Sequence, residues 1–137
     1  MIEKILAAIL LAFVTTQLSK TIIGYKKDGY WDWSRFFLQN GGMPSTHTST
    51  TVALSMTLLF NTGFTELFAV AALFTIVVMN DAMKIRLEAG EEAKILNKVM
   101  EKDKILHKRL TERIGHTPWE VFIGFLVGVF WAFIVSI

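Results

Sequence analysis

The sequence predicts an all-α fold: a polytopic membrane helical bundle of about four short transmembrane helices with a cytoplasmic amphipathic helix. Hydrophobic residues make up 53% of the chain and its mean hydropathy is +0.46, both high for a soluble domain. The charged residues are nearly absent from four apolar stretches and crowd the segments between them. The length of 137 residues suffices for one domain, so a single membrane-embedded domain is predicted over residues 1–137.

The four apolar stretches are short for membrane spans. Three of them are at or below the roughly 17–25 residues of a typical helical span, so snorkelling ends or local thinning of the bilayer are expected. The first stretch follows Met1-Ile2-Glu3-Lys4 as in a signal peptide, but it lacks a convincing cleavage site and is predicted to be retained. The predicted spans are Ile5–Ile23, Thr46–Phe60, Leu67–Met83 and Pro118–Ile137.

The basic residues predict how the bundle is oriented. With four spans, the two long loops share one face of the membrane, and the termini share the other face with the short turn after the second span. Of the 14 Lys and Arg residues, only Lys4 falls on the face of the termini. The rest lie in the two long loops or, like Lys20, at a span end facing them. The positive-inside rule therefore predicts a cytoplasmic face for the long loops and places both termini outside.

The two long loops carry their own predicted helices. The Gly- and aromatic-rich first loop suits the lipid headgroup layer, and a short interfacial helix is predicted over Ser34–Gln39. In the second loop, from Glu91 to Ile114, apolar residues recur at steps of three and four, which predicts an amphipathic helix lying on the membrane or on other helices. Gly90 is expected to separate this helix from the third span, and Gly115 to terminate it. The apolar positions are Ile95, Leu96, Val99, Met100, Leu106, Leu110 and Ile114.

A first polar cluster precedes the second span. Its glycines allow the backbone to approach a ligand, and Ser45 is placed to cap the new helix. The free N–H groups and positive dipole end of that helix favour an anion, which His47 in the first turn could reach. The alternative is that Pro44 and Ser45 simply start a helix and His47 is an interfacial side chain. The cluster reads Gly41-Gly42-Met43-Pro44-Ser45-Thr46-His47.

A second polar cluster leads into the fourth span. His116 and Glu120 are four residues apart, so a helical turn could place the carboxylate against the imidazole. A carboxylate on one ring nitrogen fixes the tautomer and leaves the other nitrogen free as a nucleophile. The alternative is a capping box from Thr117 to Glu120 with Pro118 at the first helical position, in which Glu120 serves the backbone.

Cations and one acid complete the inventory. Lys20 and Arg86 flank spans and could hold a phosphate, or could simply snorkel. Asp81 lies inside the third predicted span, where an acid is costly and seldom idle, and its simplest role is pairing with Lys20 or Arg86. The predicted topology puts all of the polar candidates at one membrane face, which is an inventory for phosphoryl transfer. They are Lys20, His47, Asp81, Arg86, His116 and Glu120.

These motifs resemble the divergent branch of the type 2 phosphatidic acid phosphatase superfamily, also described as acid phosphatase/vanadium-dependent haloperoxidase-related. The resemblance covers nearly the whole chain and includes Gln17 and Lys20 on the first span. It implies a helical membrane phosphatase that acts on lipid phosphates through a phosphohistidine. The matching segments are Gly41–His47, Asn80–Arg86, Gly90, Asn97 and Gly115–Val121.

The resemblance also implies roles for individual residues. His116 resembles the nucleophilic histidine, and Glu120 stands at the position of an orienting aspartate. His47 resembles the general acid, and Lys20 resembles a phosphate-binding lysine. The arginines of the family pattern are absent at their usual positions, so Arg86 is expected to replace them. Further phosphate contacts are expected from Gly42, Ser45 and Thr46, support from Asp81, and alternative arginines are Arg35, Arg109 and Arg113.

The expected substrate is a lipid phosphate monoester that enters from the cytoplasmic leaflet. Because phospholipid precursors are made on that face, a substrate of the phosphatidylglycerophosphate type is favoured over polyprenyl pyrophosphate. Neither a cofactor nor a metal is expected, and the lack of cysteine excludes zinc–thiolate sites and cysteine nucleophiles. The expected partners are the membrane, the lipid phosphate and a second copy of the chain, in a homodimer packed through Gly- and Ala-bearing faces, with no nucleic acid.

Two other functions compete with the phosphatase. A small transporter or channel for an anion would use the same residues as a binding site, and would bind phosphate without turnover. A non-catalytic membrane scaffold would use the segment from Glu91 to Ile114 as a docking surface. In that case, substitutions of the histidines would have no effect.

Overall fold

A computed structural model describes residues 1–31, 42–112 and 114–137. These residues confirm the all-α prediction, since their regular elements are all helical. The predicted interfacial helix over Ser34–Gln39 lies outside the described residues. The elements are α1 (Ile2–Asp28), α2 (Thr46–Thr62), α3 (Glu66–Asn80), a π-helical turn (Asp81–Ile85), α4 (Arg86–Lys102) and α5 (Pro118–Ser136).

Side-chain caps fix where the helices begin. The Ser45 hydroxyl accepts a hydrogen bond from the Thr48 N–H at 3.4 Å, which confirms the predicted cap of α2. The predicted capping box of α5 is also present. The Thr117 hydroxyl accepts from the Glu120 N–H at 3.3 Å, and the Glu120 carboxylate accepts from the Thr117 N–H at 2.9 Å. These contacts satisfy N–H groups that a helix start leaves without partners.

Within the described part of the chain, three helices are long and apolar enough to cross a membrane, namely Ile2–Asp28, the continuous helix Glu66–Lys102, and Pro118–Ser136. The chain is therefore an integral membrane protein, as predicted. The remaining predicted span, the second (Thr46–Phe60), corresponds to α2, which has 17 residues and contacts α1, α3 and α5. Because α2 lies inside the bundle, it can carry hydroxyl side chains that bond to its own carbonyls, as Thr57 does to Ala53 at 2.7 Å.

Polar contacts show that α1 runs antiparallel to α5, whereas α2 and α5 run parallel. At one end of the bundle, the Lys4 ammonium donates to the carbonyl of Ser136 at 3.0 Å, and the Asn61 amide donates to the Ser136 hydroxyl at 2.8 Å. At the other end, the Ser45 N–H donates to the carbonyl of Glu120 at 3.1 Å. The termini thus share one end and the long connections the other. Which end faces the cytoplasm stays a prediction from the basic residues.

Small residues let α2 and α5 approach closely. A Cβ added at Gly124 would lie 2.6 Å from the carbonyl oxygen of Ser45, and one at Gly128 would lie 2.6 Å from that of Ser49. One buried cluster consists of alanines, Ala8, Ala12 and Ala53. These small residues are therefore packed within one chain. The homodimer stays a prediction.

The predicted boundaries of the amphipathic helix are wrong at both ends. The helix of the third span continues through Gly90 without a break and ends at Lys102, so Leu106, Leu110 and Ile114 lie outside it. Gly90 has a packing role, since a Cβ there would lie 2.7 Å from the carbonyl oxygen of Glu112.

The described chain after α4 runs back along this helix, and we call residues 103–112 and 114–117 the return segment. Asn97 of α4 holds it by donating to the carbonyl of Leu110 at 2.9 Å and accepting from the Leu110 N–H at 2.9 Å. The face of α4 that this segment covers is built from Gly90, Ala93 and Asn97, while Ile95, Leu96 and Val99 remain exposed.

Candidate active site

The π-helical turn and the return segment together position His116. Its backbone N–H donates to the carbonyl of Ala82 at 2.9 Å. The preceding Gly115 has φ +86°, and a Cβ there would lie 2.4 Å from the backbone nitrogen of Leu87. Gly115 was predicted to terminate a helix, which is wrong. It allows the return segment to pass directly against the helix backbone, and so fixes the histidine that follows it.

The ring of His116 is buried without the partners that a structural histidine requires. The residue is 1% exposed, and neither ring nitrogen has a hydrogen-bond partner in the described part of the chain. Buried polar atoms without partners are rare in native proteins, and each demands an explanation such as a ligand or a catalytic role. The unsatisfied ring nitrogens therefore mark this position as a candidate site.

The Glu120 carboxylate lies against both groups that its sequence position allowed it to reach. Its Oε2 accepts the capping hydrogen bond from Thr117 and also lies 3.5 Å from Nδ1 of His116. That distance is too long for an ordinary hydrogen bond, so the contact with the imidazole is electrostatic. The carboxylate is nevertheless on the Nδ1 side of the ring, which leaves Nε2 without a neighbouring charged oxygen among the described residues.

The pKa of His116 is lowered from its usual 6.5, mainly because burial disfavours the charged imidazolium. The ammonium of Lys20 and the nearby His47 lower it further, while the Glu120 carboxylate partly opposes them. The ring is thus neutral at neutral pH, and a neutral imidazole is the form that can act as a nucleophile.

Lys20 is a buried cation on α1, only 3% exposed. Its ammonium donates to the hydroxyl of Thr46 at 2.8 Å, and that hydroxyl donates to Oε1 of Gln17 at 3.1 Å. Among the described residues no carboxylate lies within ion-pair distance of this ammonium. A buried charge needs a counter-charge, so an anion brought in by a ligand would complete the site.

The start of α2 brings Thr46 and His47 to this site. Gly42 has φ +89°, a conformation that favours glycine, whereas Gly41 lies outside the described residues. Ser45 is fully buried, and its hydroxyl also accepts from the Thr48 hydroxyl at 3.0 Å. Since its N–H is bonded to Glu120, Ser45 is occupied with local structure.

A groove of about 710 Å³ opens beside His47, with the π-helical turn as its opposite wall. Arg86 donates to the carboxylate of Asp81 on this wall, which is one of the two pairings that the sequence suggested. His47 is close enough to Arg86, Lys20 and Asp81 for their charges to act on its ring. His47 thus lines the open groove and also interacts electrostatically with the buried His116. The lining residues are His47, Val77, Val78, Asn80, Asp81, Lys84, Ile85 and Arg86.

The other candidate arginines lie elsewhere or outside the described residues. Arg109 pairs with Glu112 at 3.0 Å, and this contact together with the amide of Asn97 lowers the pKa of the Glu112 carboxyl. Arg35 and Arg113 are not among the described residues. No group of three acidic or histidine side chains within residues 1–31, 42–112 and 114–137 could hold a metal ion.

Sequence reasoning missed two features of this site. Lys84 lines the groove, but in the sequence it is one of many basic residues flanking a span. The π-helical turn leaves no hydrophobic-period signal, because it spans only the five residues Asp81–Ile85. In the sequence, the one sign of this turn is the acidic residue Asp81 within an apolar stretch.

The chain is similar to known membrane proteins. The sequence profile described as "Divergent PAP2 family" matches residues 1–131. An uncharacterized membrane protein of Bacillus subtilis (strain 168), YuiD, is 36% identical over 138 aligned positions, which cover 88% of this chain and 85% of that protein. No solved structure matches the chain significantly.

Proposed function

This chain belongs to the divergent PAP2 family, and we propose that it is a membrane phosphatase that hydrolyses a lipid phosphomonoester through a phosphohistidine. The observation that carries the proposal is the ring of His116, buried with both nitrogens unpartnered beside a carboxylate and a buried ammonium. A core histidine would have its nitrogens satisfied. A nucleophile needs one of them free.

In the first step, Nε2 of His116 attacks phosphorus and the bond from phosphorus to the lipid oxygen breaks. The Glu120 carboxylate stabilises the developing positive charge on the imidazole from the Nδ1 side. His47 gives its proton to the departing lipid oxygen, so the leaving group departs as an alcohol. Lys20 offsets the negative charge of the phosphoryl oxygens, and Arg86, paired with Asp81 through Nε, offers its remaining N–H groups to them from the groove side.

In the second step, the now neutral His47 takes a proton from water as the water oxygen attacks phosphorus. The bond from phosphorus to Nε2 breaks, which releases inorganic phosphate and restores the neutral imidazole of His116. His47 is again protonated and ready for the next leaving group. Since His116 is covered in this structure, substrate entry has to move covering groups aside, and the groove at His47 gives the direction of entry.

The sidedness of the basic residues supports a cytoplasmic site and a substrate of the phosphatidylglycerophosphate type. Lipid precursors of this kind arise in the cytoplasmic leaflet, next to the end of the bundle that carries Lys20 and the two long connections. A polyprenyl pyrophosphate released outside would need a site at the opposite end.

Phosphate release by the purified chain from a panel of lipid phosphates tests the proposal, with and without a chelator. We expect turnover that orthovanadate inhibits, because vanadate imitates five-coordinate phosphorus. His116→Ala should abolish release. His47→Ala should retain more activity, because acid–base assistance contributes about 10²- to 10⁴-fold. His107→Ala is the matched control, since His107 is exposed on the return segment.

The same assay separates the competing functions. An anion transporter would bind vanadate or phosphate without releasing phosphate from lipid. A scaffold would show neither turnover nor an effect of the histidine substitutions. Phosphate release that is equal in the parent and in both histidine variants would reject the phosphohistidine scheme.

A further inference from the structure

The π-helical turn gives the groove a wall that an α-helix could not provide. In an α-helix of 3.6 residues per turn, positions five apart differ by about 140° around the axis. In the π-helical turn the Arg86 N–H bonds to the carbonyl of Asp81, five residues earlier. The two side chains therefore fall on one face, where the guanidinium pairs with the carboxylate.

This pairing leaves Lys84 as the uncompensated charge on that wall. Arg86 and Asp81 neutralise each other, whereas Lys84 makes no hydrogen bond or ion pair with any described residue. Its side chain is exposed on the groove. The groove is thus a cationic space, and its one free charge comes from a residue to which the proposed reaction assigns no part.

The groove is the place of the leaving group, provided that the proposed function holds. His47 protonates the departing oxygen and lines the groove, while His116 and Lys20 lie outside its lining. A volume of about 710 Å³ exceeds the need of one phosphoryl group, since a water molecule takes roughly 30 Å³. Val77 and Ile85 add an apolar side, and both are more than half exposed, towards the surface that faces lipid.

We propose that Lys84 is a specificity residue, which binds a second anionic group on the leaving alcohol. The subsite would select lipid phosphomonoesters whose leaving group carries a phosphodiester over those that release neutral diacylglycerol. Apolar contacts with Val77 and Ile85 hold the acyl part beside it. The inference rests on the proposed function, because it takes the position of the leaving group from the role of His47.

The test compares two substrates with the same acyl chains, phosphatidylglycerophosphate and phosphatidic acid. Lys84→Gln should lower kcat/KM for phosphatidylglycerophosphate about 10- to 100-fold, as expected for loss of a hydrogen bond to a charged group. It should leave kcat/KM for phosphatidic acid unchanged, and Lys84→Arg should restore selectivity. Lys98→Gln, an exposed lysine on α4 away from the groove, is the control. Equal losses on both substrates, or no loss on either, would overturn the role of Lys84.

A binding measurement keeps the two proposals separate. Native mass spectrometry of the parent and of both glutamine variants would measure retention of phosphatidylglycerol, the product that bears the phosphodiester. We expect weaker retention in Lys84→Gln than in Lys98→Gln. If neither lipid releases phosphate but this difference appears, the phosphatase fails and the subsite stands. If turnover occurs and retention is the same in both variants, the subsite fails and the phosphatase stands.

Discussion

The backbone N–H of His116 donates to the carbonyl of Ala82 at 2.9 Å, so one hydrogen bond joins the candidate nucleophile to the π-helical turn. The same turn pairs Asp81 with Arg86 and presents Lys84 to the groove. The buried ring and the open groove are therefore built on one short element. Changes at the junction between the return segment and this turn should affect both.

Gly115→Ala tests that junction. The added methyl group would lie 2.4 Å from the backbone nitrogen of Leu87, at a residue with φ +86°. We expect a lower melting temperature and a loss of phosphate release, because His116 must shift with the backbone. Gly29→Ala is the matched control, since Gly29 has φ +78° and open space around it. It should show only the cost of the left-handed conformation, about 1–2 kcal/mol.

Thermal unfolding and phosphate release of the two variants decide the outcome. If Gly115→Ala behaves like Gly29→Ala in both measurements, close backbone approach does not position His116. If Gly115→Ala is less stable than Gly29→Ala but its folded fraction is fully active, the close approach at Gly115 serves packing and does not position His116.

The sequence predicted the parts of this fold that depend on local chemistry. The Ser45 cap and the Thr117–Glu120 capping box follow from residue types at fixed offsets, and the structure contains both. The apolar stretches and their order also predict which end of the bundle carries the polar residues. The sequence also indicates that the Glu120 carboxylate could face His116, but only as an alternative to the capping box.

The predictions that failed concern contacts between segments distant in sequence. The sequence predicts helix breaks at Gly90 and Gly115, because a glycine at the edge of a periodic pattern is typical of one. Both instead allow the return segment to touch a continuous helix. The apolar period of α4 continues into residues of the return segment such as Leu110. Periodicity alone could not show that Leu110 lies outside the helix, with its N–H bonded to the side chain of Asn97.

Replacing Glu120 separates its two roles. Glu120→Gln keeps an acceptor for the Thr117 N–H and removes the charge beside His116. Glu120→Ala removes both. We expect both variants to lose phosphate release about 10- to 100-fold, in line with a charge-assisted contact of about 1.5–3 kcal/mol. Only Glu120→Ala should also melt earlier, by the loss of a cap of about 1 kcal/mol.

Steady-state phosphate release and thermal unfolding measure these effects on the same preparations. Full activity in Glu120→Gln would mean that the carboxylate serves the helix end alone. His116 would then need another orienting group.

Lys20→Met tests whether the buried ammonium serves phosphate release or the stability of the fold. A buried charge with no carboxylate partner among the described residues is costly, so an apolar side chain of similar length should leave the free energy of unfolding unchanged or raise it by about 1 kcal/mol or more. Activity should fall sharply, because the phosphoryl oxygens lose their buried counter-charge. Lys26→Met, an exposed lysine at the end of the same helix, should change neither quantity. A Lys20→Met protein that is active but clearly less stable than Lys26→Met would assign Lys20 a structural role through Thr46.

The lowered pKa of His116 predicts a dependence of stability on pH. Burial and Lys20 disfavour the imidazolium in the folded chain, so the unfolded chain binds a proton more readily near the usual value of 6.5. Stability is therefore full above that value and falls as the pH drops below it. Between about pH 7.5 and about pH 5.5, the parent should lose more melting temperature than His116→Gln, which cannot be protonated there. His107→Gln should behave like the parent, because His107 is exposed. Identical losses in the parent and His116→Gln would show that the fold imposes no cost on a charged His116, and would remove the reason for a neutral nucleophile.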